Sequence, residues 1–177
     1  MSRRLPTANC RPTLLLSLAL TLTAGCGYRF TAGPVTLPQG IRAVSAPVFG
    51  NQTAEPGLQA VFTQSLREQL TRAGIEARAD ADAELSGEVL SVWGGPALLT
   101  TPKELEPATL ASYRIFATAQ LRLRKSGQIL SERVVSGSED YLPGVDVLQT
   151  EANRDAALRR LADRLMREGF ERIAAED

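Results

Sequence analysis

The stretch Tyr113-Arg-Ile-Phe-Ala-Thr-Ala-Gln-Leu-Arg-Leu-Arg124 decides the fold. Tyr113, Ile115, Ala117, Ala119, Leu121 and Leu123 alternate with Arg114, Phe116, Thr118, Gln120, Arg122 and Arg124. Successive side chains of a strand point to opposite faces, so a sustained period of two implies one buried face and one wet face. Ser126-Gly127 follows as a hairpin turn signal and predicts a partner strand from Gln128 to about Gly137.

Working upstream, Ala83 to Trp93 reads as another strand. Leu85, Val89 and Trp93 fall on one side and Glu84, Ser86 and Glu88 on the other, which favours the core for Trp93 over the alternative of an interface anchor. Gly94-Gly95-Pro96 is expected to stop it, and residues 94–111, with prolines at 96, 102 and 107, read as a long connection. Ile41 to Phe49 is expected to form a first strand, placed at an edge or ended by Pro47. Thr53 is the expected N-cap of a first helix, with Glu55 and Pro56 in its first turn. Leu58, Val61, Phe62, Ser65, Leu66, Gln69, Leu70 and Ala73 then recur at spacings of three and four up to Gly74.

Downstream, Asp146 and Gln149 have capping-box spacing, and Ala157, Leu158, Leu161, Ala162, Leu165 and Ile173 trace the stripe of a last helix. The order strand, helix, three strands, helix predicts an α+β two-layer sandwich. Two amphipathic helices pack on one face of a mostly antiparallel four-stranded sheet.

Composition narrows the chemistry. The chain has 177 residues, 20 basic and 20 acidic side chains, 44% apolar content and no histidine. Balanced charge argues against nucleic acid as a partner. Without histidine a Ser-His-Asp triad is excluded, and the commonest general base and transition-metal ligand are missing. The two cysteines, Cys10 and Cys26, offer no disulfide framework or zinc knuckle. No cofactor, no metal and no catalytic residue is expected.

The N-terminus carries an address. Arg3, Arg4 and Arg11 precede the apolar run Leu14 to Leu22, which is too short to span a bilayer and ends in Thr23-Ala24-Gly25-Cys26. This resembles a bacterial lipoprotein signal, with Thr23 standing where such signals prefer leucine. The resemblance implies cleavage after residue 25 and acylation of Cys26, for instance with palmitate. Three acyl chains, each contributing ~0.8 kcal/mol per buried methylene, tether a protein stably. Residues 1–25 are then a removed signal peptide, 26–40 a lipidated tether and 41–177 a single α+β domain. Loss of the three arginines leaves a mildly acidic chain. Gly27, where aspartate would favour the inner membrane, implies the outer membrane.

A wider resemblance follows from joined local matches. Cys26-Gly27-Tyr28-Arg29-Phe30, then Leu37-Pro38 with Ile41, Pro47, Phe49, Asn51 and Thr53, then Tyr113-Arg114 opening a long strand, and Gly127 with Leu130 in the hairpin, together resemble the lipopolysaccharide-assembly lipoprotein family, LptE. Residues 94–110 are longer than in that family's pattern. The resemblance implies a plug seated in an outer-membrane β-barrel (LptD-like) that delivers lipopolysaccharide to the outer leaflet. It also implies help in assembling that barrel, and lipopolysaccharide as a ligand. A stand-alone periplasmic lipoprotein that binds or traffics an envelope ligand is the alternative. An enzyme built on carboxylates alone is disfavoured, because no pair of carboxyl groups is singled out.

Arg114, Arg122 and Arg124 share the polar face of the alternating strand, with Lys125 at its end. Guanidinium forks bind phosphate oxygens in bidentate fashion, so these four are the candidate lipopolysaccharide contacts. The competing reading is a solvated strand face with cross-strand charge pairs, Arg122 to Glu132 among them. Asp80, Asp82 and Glu84 alternate too, but lack the glycine and distant glutamate of a calcium loop.

Overall fold

The computed structural model describes residues 35–100 and 109–176; the signal-like segment, Cys26 and the start of the tether lie outside the described residues. A 3₁₀ turn at Pro38–Gly40 precedes β1 (Ala43–Val44), β2 (Gly50–Asn51), α1 (Leu58–Ala73), β3 (Glu76–Ala77), β4 (Ala83–Thr100), β5 (Thr109–Lys125), β6 (Gln128–Tyr141) and α2 (Val147–Ala174). The main sheet has the order β2-β4-β5-β6, antiparallel except for the short parallel pair β2–β4. Both helices cover the same face, as the two apolar stripes require.

The alternating strand behaves as its sequence demands. Ile115, Ala117, Ala119, Leu121 and Leu123 are buried. They meet Phe62, Leu66 and Leu70 of α1 and Leu161, Leu165 and Met166 of α2 in one core. The core reaches back to Leu37, which is buried and bridged to Ile41. The helices are also joined through Asp163 of α2, which accepts from Gln69 Nε2 at 2.7 Å and from Arg72 Nη1 at 3.1 Å.

Four expectations are corrected. Residues 94–111 are not a loop throughout: Gly94 to Thr100 and Thr109 to Ser112 extend β4 and β5 as a paired arm, leaving residues 101–108 outside the described residues. Pro96 is tolerated there because, among the described residues, β2 pairs only with Glu88 and Val89 and leaves this length of β4 as a sheet edge. The expected first strand, Ile41 to Phe49, is divided. Its first part, β1, pairs with β3, and β2 forms after Pro47, which has no N–H to donate.

Thr53 is not the N-cap of α1. Asn51 Oδ1 accepts from the Thr53 N–H at 3.0 Å and its hydroxyl at 2.7 Å, building a side-chain turn instead. The helix begins after Gly57, whose φ of 90° suits glycine. Trp93 is not core. The ladder shifts between Val89 and Ser91, so the extra residue Leu90 reverses the alternation. Val92 packs against the core, and Trp93, 59% exposed, turns to the open face.

The Gly74 cap forms as expected, and Asp146 caps α2 with the return bond of the box shifted one residue upstream, to Val145. The Gly74 N–H reaches back to the carbonyls of Leu70 and Thr71. The Asp146 carboxylate accepts from the Gln149 N–H at 2.7 Å, while Gln149 Oε1 accepts from the Val145 N–H at 2.9 Å.

Candidate functional site

With both helices on one side, the other face of the sheet is left without a covering layer among the described residues. The ladder sets its rows: Glu84–Arg124–Ile129, Ser86–Arg122–Glu132, Glu88–Gln120–Val134, Ser91–Thr118–Ser136, Trp93–Phe116–Ser138 and Gly95–Arg114–Asp140. Each row crosses three strands, so neighbours in a row and in adjacent rows interact.

Most of the charge on this face is internally matched. Arg114 grips Asp140 with two parallel bonds, Nε to Oδ1 at 2.5 Å and Nη2 to Oδ2 at 2.8 Å. The hydrogen bond from Arg114 holds the Asp140 carboxyl below its ordinary range, and the same bond raises Arg114. Arg122 Nε donates to Glu132 Oε2 at 2.6 Å. Gln120 Nε2 donates to Glu132 Oε1 at 2.7 Å, and Gln120 Oε1 accepts from Arg122 Nη2 at 2.8 Å. The cross-strand pair Arg122–Glu132, one of the sequence alternatives, is therefore present.

Arg124 is different. It stands opposite Glu84 in register, with no ion pair within bonding distance among the described residues. It shares with Arg122, Glu84, Glu88 and Val48 a shallow depression of about 310 Å³. Lys125, one residue on, belongs to another hollow beside Arg42, Asp80 and Asp82. Asp80 is already engaged by Arg78 Nε at 3.2 Å. The four candidate contacts thus divide three ways: Arg122 with Arg124, Lys125 apart, and Arg114 ten residues along the strand, roughly 33 Å away. Cys26 lies outside the described residues.

The periodicity misses two features, the stacking of Trp93 on Phe116 and an exposed apolar turn. Trp93 stacks on Phe116, ring centroids 4.0 Å apart and 12° from parallel, making an aromatic plate on a face that is polar apart from Ile129 and Val134. The β6–α2 turn also exposes Leu142, Val145, Val147 and Leu148, with Val145 at 94%. Helical periodicity does not report a turn of this kind, and the bulge at Leu90 that turns Trp93 outward leaves no composition signal. Among the described residues no helix is long and apolar enough to cross a membrane.

Comparison with known proteins completes the picture. Residues 41–173 match the model of the family described as LptE, lipopolysaccharide-assembly. Among solved structures, a protein from Caulobacter crescentus is similar at 16% identity, covering 72% of this chain and 88% of that one, with a TM-score of 0.49. A minor lipoprotein from Acinetobacter baumannii matches at 15% identity, over 76% and 91%, with a TM-score of 0.48. Rare lipoprotein B from Shewanella oneidensis matches at 13% identity, over 75% and 94%, with a TM-score of 0.47. Comparison with curated proteins gives no match.

Proposed function

The chain belongs to the LptE family of lipopolysaccharide-assembly proteins, and from that premise we propose that it is an outer-membrane lipoprotein, acylated at Cys26, that plugs and helps assemble a β-barrel translocon for lipopolysaccharide. The family match over residues 41–173 carries the reading. The surface supports it. A barrel lumen is polar, and the open face offers it matched ion pairs with one aromatic plate for contact. A plug needs a rigid body, a compatible surface and a tether, and no catalytic step is proposed for this one.

Lipopolysaccharide contact belongs to the same proposal, through Arg114, Arg122, Arg124 and Lys125. The geometry ranks them. A phosphate must displace Asp140 to reach Arg114 and Glu132 to reach Arg122, whereas Arg124 holds no carboxylate among the described residues. Arg124→Glu is expected to weaken binding to purified lipopolysaccharide most, with the far-UV circular dichroism unchanged. Equal binding by that variant removes Arg124 from the contact.

Co-expression tests the plug role. A Cys26→Ala chain, free of lipid, should still co-purify with the barrel subunit. Separate elution of the two at every salt concentration tried overturns the role. Metabolic labelling with a fatty acid should mark the parent and leave Cys26→Ala unmarked.

A further inference from the structure

Among the described residues β6 is the outer strand of the main sheet, and at 14 residues it is long for an edge strand. Which of its backbone groups face outward follows from the ladder. The Ser45 N–H donates to Ala83 O, the Leu85 N–H to Ser45 O, and the Gln52 N–H to Val89 O. Odd-numbered residues in this part of β4 therefore turn their polar groups toward the N-terminal strands, and even-numbered ones bond β5. Alternation carries the pattern across. Even residues of β5 bond β4, odd ones bond β6, and within β6 the residues Glu132, Val134, Ser136, Ser138 and Asp140 point their N–H and C=O groups away from the sheet.

Two arginines lie across that row. Arg133 Nη1 donates to Glu132 O at 3.0 Å, and its Nη2 meets the carboxylate of Glu176 beyond the end of α2. Arg164 Nη2 donates to Ser138 O, and its Nη1 donates to Glu139 Oε2 at 2.9 Å. Glu139 is held a second time, by Arg160 Nε at 2.9 Å. Each guanidinium is thus pinned by a carboxylate and spends another donor on an outward carbonyl. Among the described residues, Val134 and Ser136, between the two blocked carbonyls, make no outward bond.

An added strand would have to sit about 4.8 Å from β6 in the plane of the sheet. The two guanidinium groups stand in that space at Glu132 and Ser138, whose carbonyls are already bonded, so only the short stretch from Val134 to Ser136 between them is left open. β6 has no proline and no lysine, and its one register shift, at Leu130, lies near its start, outside the stretch from Glu132 to Asp140. We propose that Arg133 and Arg164 guard this edge, preventing β6 from pairing with β6 of a second copy of the chain. The inference rests on the ladder and the two arginines and is independent of the proposed function.

The test uses the full chain in a Cys26→Ser background, measured by size exclusion with light scattering over a range of concentrations. The parent should run as one chain. The double variant Arg133→Met, Arg164→Met keeps the apolar stems and removes every donor, and its mass should double as concentration rises. Adding Ser136→Pro, which removes an outward N–H and spares the bonds to β5, should return it to one chain. A folded double variant that stays at one chain overturns the proposal, as does a dimer that survives Ser136→Pro. If the double variant loses its helical signal, Arg164→Met alone carries the same readout, because Arg160 still holds Glu139.

Discussion

The two faces of this sheet are made by the same strands, yet they differ in what a side chain can be replaced by. On β5, Leu121 is fully buried, and its neighbour Arg122 meets solvent on one side and Glu132 on the other. On β4, Gly87 leaves room for the ring of Phe49, whereas a methyl group at Gly95 would meet nothing within 4 Å. The covered face is fixed by volume, because helix and sheet close-pack against it. The open face is fixed by charge register, which water can replace. A face of the second kind tolerates change in the isolated protein and is free to be shaped by a partner.

The sharpest way to break this comparison is to truncate adjacent residues. Leu121→Ala should cost about 2–5 kcal/mol in urea unfolding, from lost burial plus the cavity beneath α2. Arg122→Ala, one residue on, should cost at most about 1 kcal/mol, because an exposed pair gains little over water. Similar losses at both positions would mean that the open face is structural after all. The glycines come next. Gly87→Ala forces a methyl into the Phe49 ring and should cost about 1–3 kcal/mol, while Gly95→Ala should stay within about 0.5 kcal/mol.

Ion pairs extend the contrast. Arg154 of α2 grips Glu55 before α1 with Nη1 at 2.7 Å and Nη2 at 2.5 Å, and both side chains are more than two-thirds buried. Glu55→Gln should therefore cost about 1–2 kcal/mol, more than Glu132→Gln on the open face.

The same division explains what could be read from the sequence. The covered face was legible because burial writes itself as period: two in β5, and three to four in α1 and α2. Cross-strand pairing of Arg122 with Glu132 was legible as an alternative because the Ser126-Gly127 turn limits the register. What failed was wherever one residue breaks the period or a side chain outcompetes a backbone cap. The unpaired Leu90 reversed Trp93, and Asn51 drew Thr53 away from the helix. The arm formed by Gly94 to Thr100 was hidden because glycine and proline usually mark turns, and here they lie on an edge. For the site, the alternation placed three arginines on one face, but it carried no information on which of them would already be held by a carboxylate.

The finest test of the two-face picture lies in one dipeptide. Asp140 faces solvent, held below its usual range by the hydrogen bond from Arg114. Tyr141, stacked on Tyr113 with ring centroids 5.3 Å apart, is raised by burial. The signs are opposite. A depressed carboxyl stabilises the fold above its ordinary value of 3.8, and that contribution is lost as pH falls through the lowered value. A raised phenol stabilises below its ordinary value of 10.0, and that contribution is lost as pH rises toward the raised value. Urea midpoints measured across pH should show Asp140→Asn flattening the acid limb slightly and Tyr141→Phe flattening the alkaline limb. Salt separates the two causes. At 1 M the screening length falls to about 3 Å, so the exposed Asp140 effect should shrink while the burial-driven Tyr141 effect persists. Equal salt sensitivity of both limbs would mean that the two neighbours share one environment, and the distinction between faces would end at this corner of the sheet.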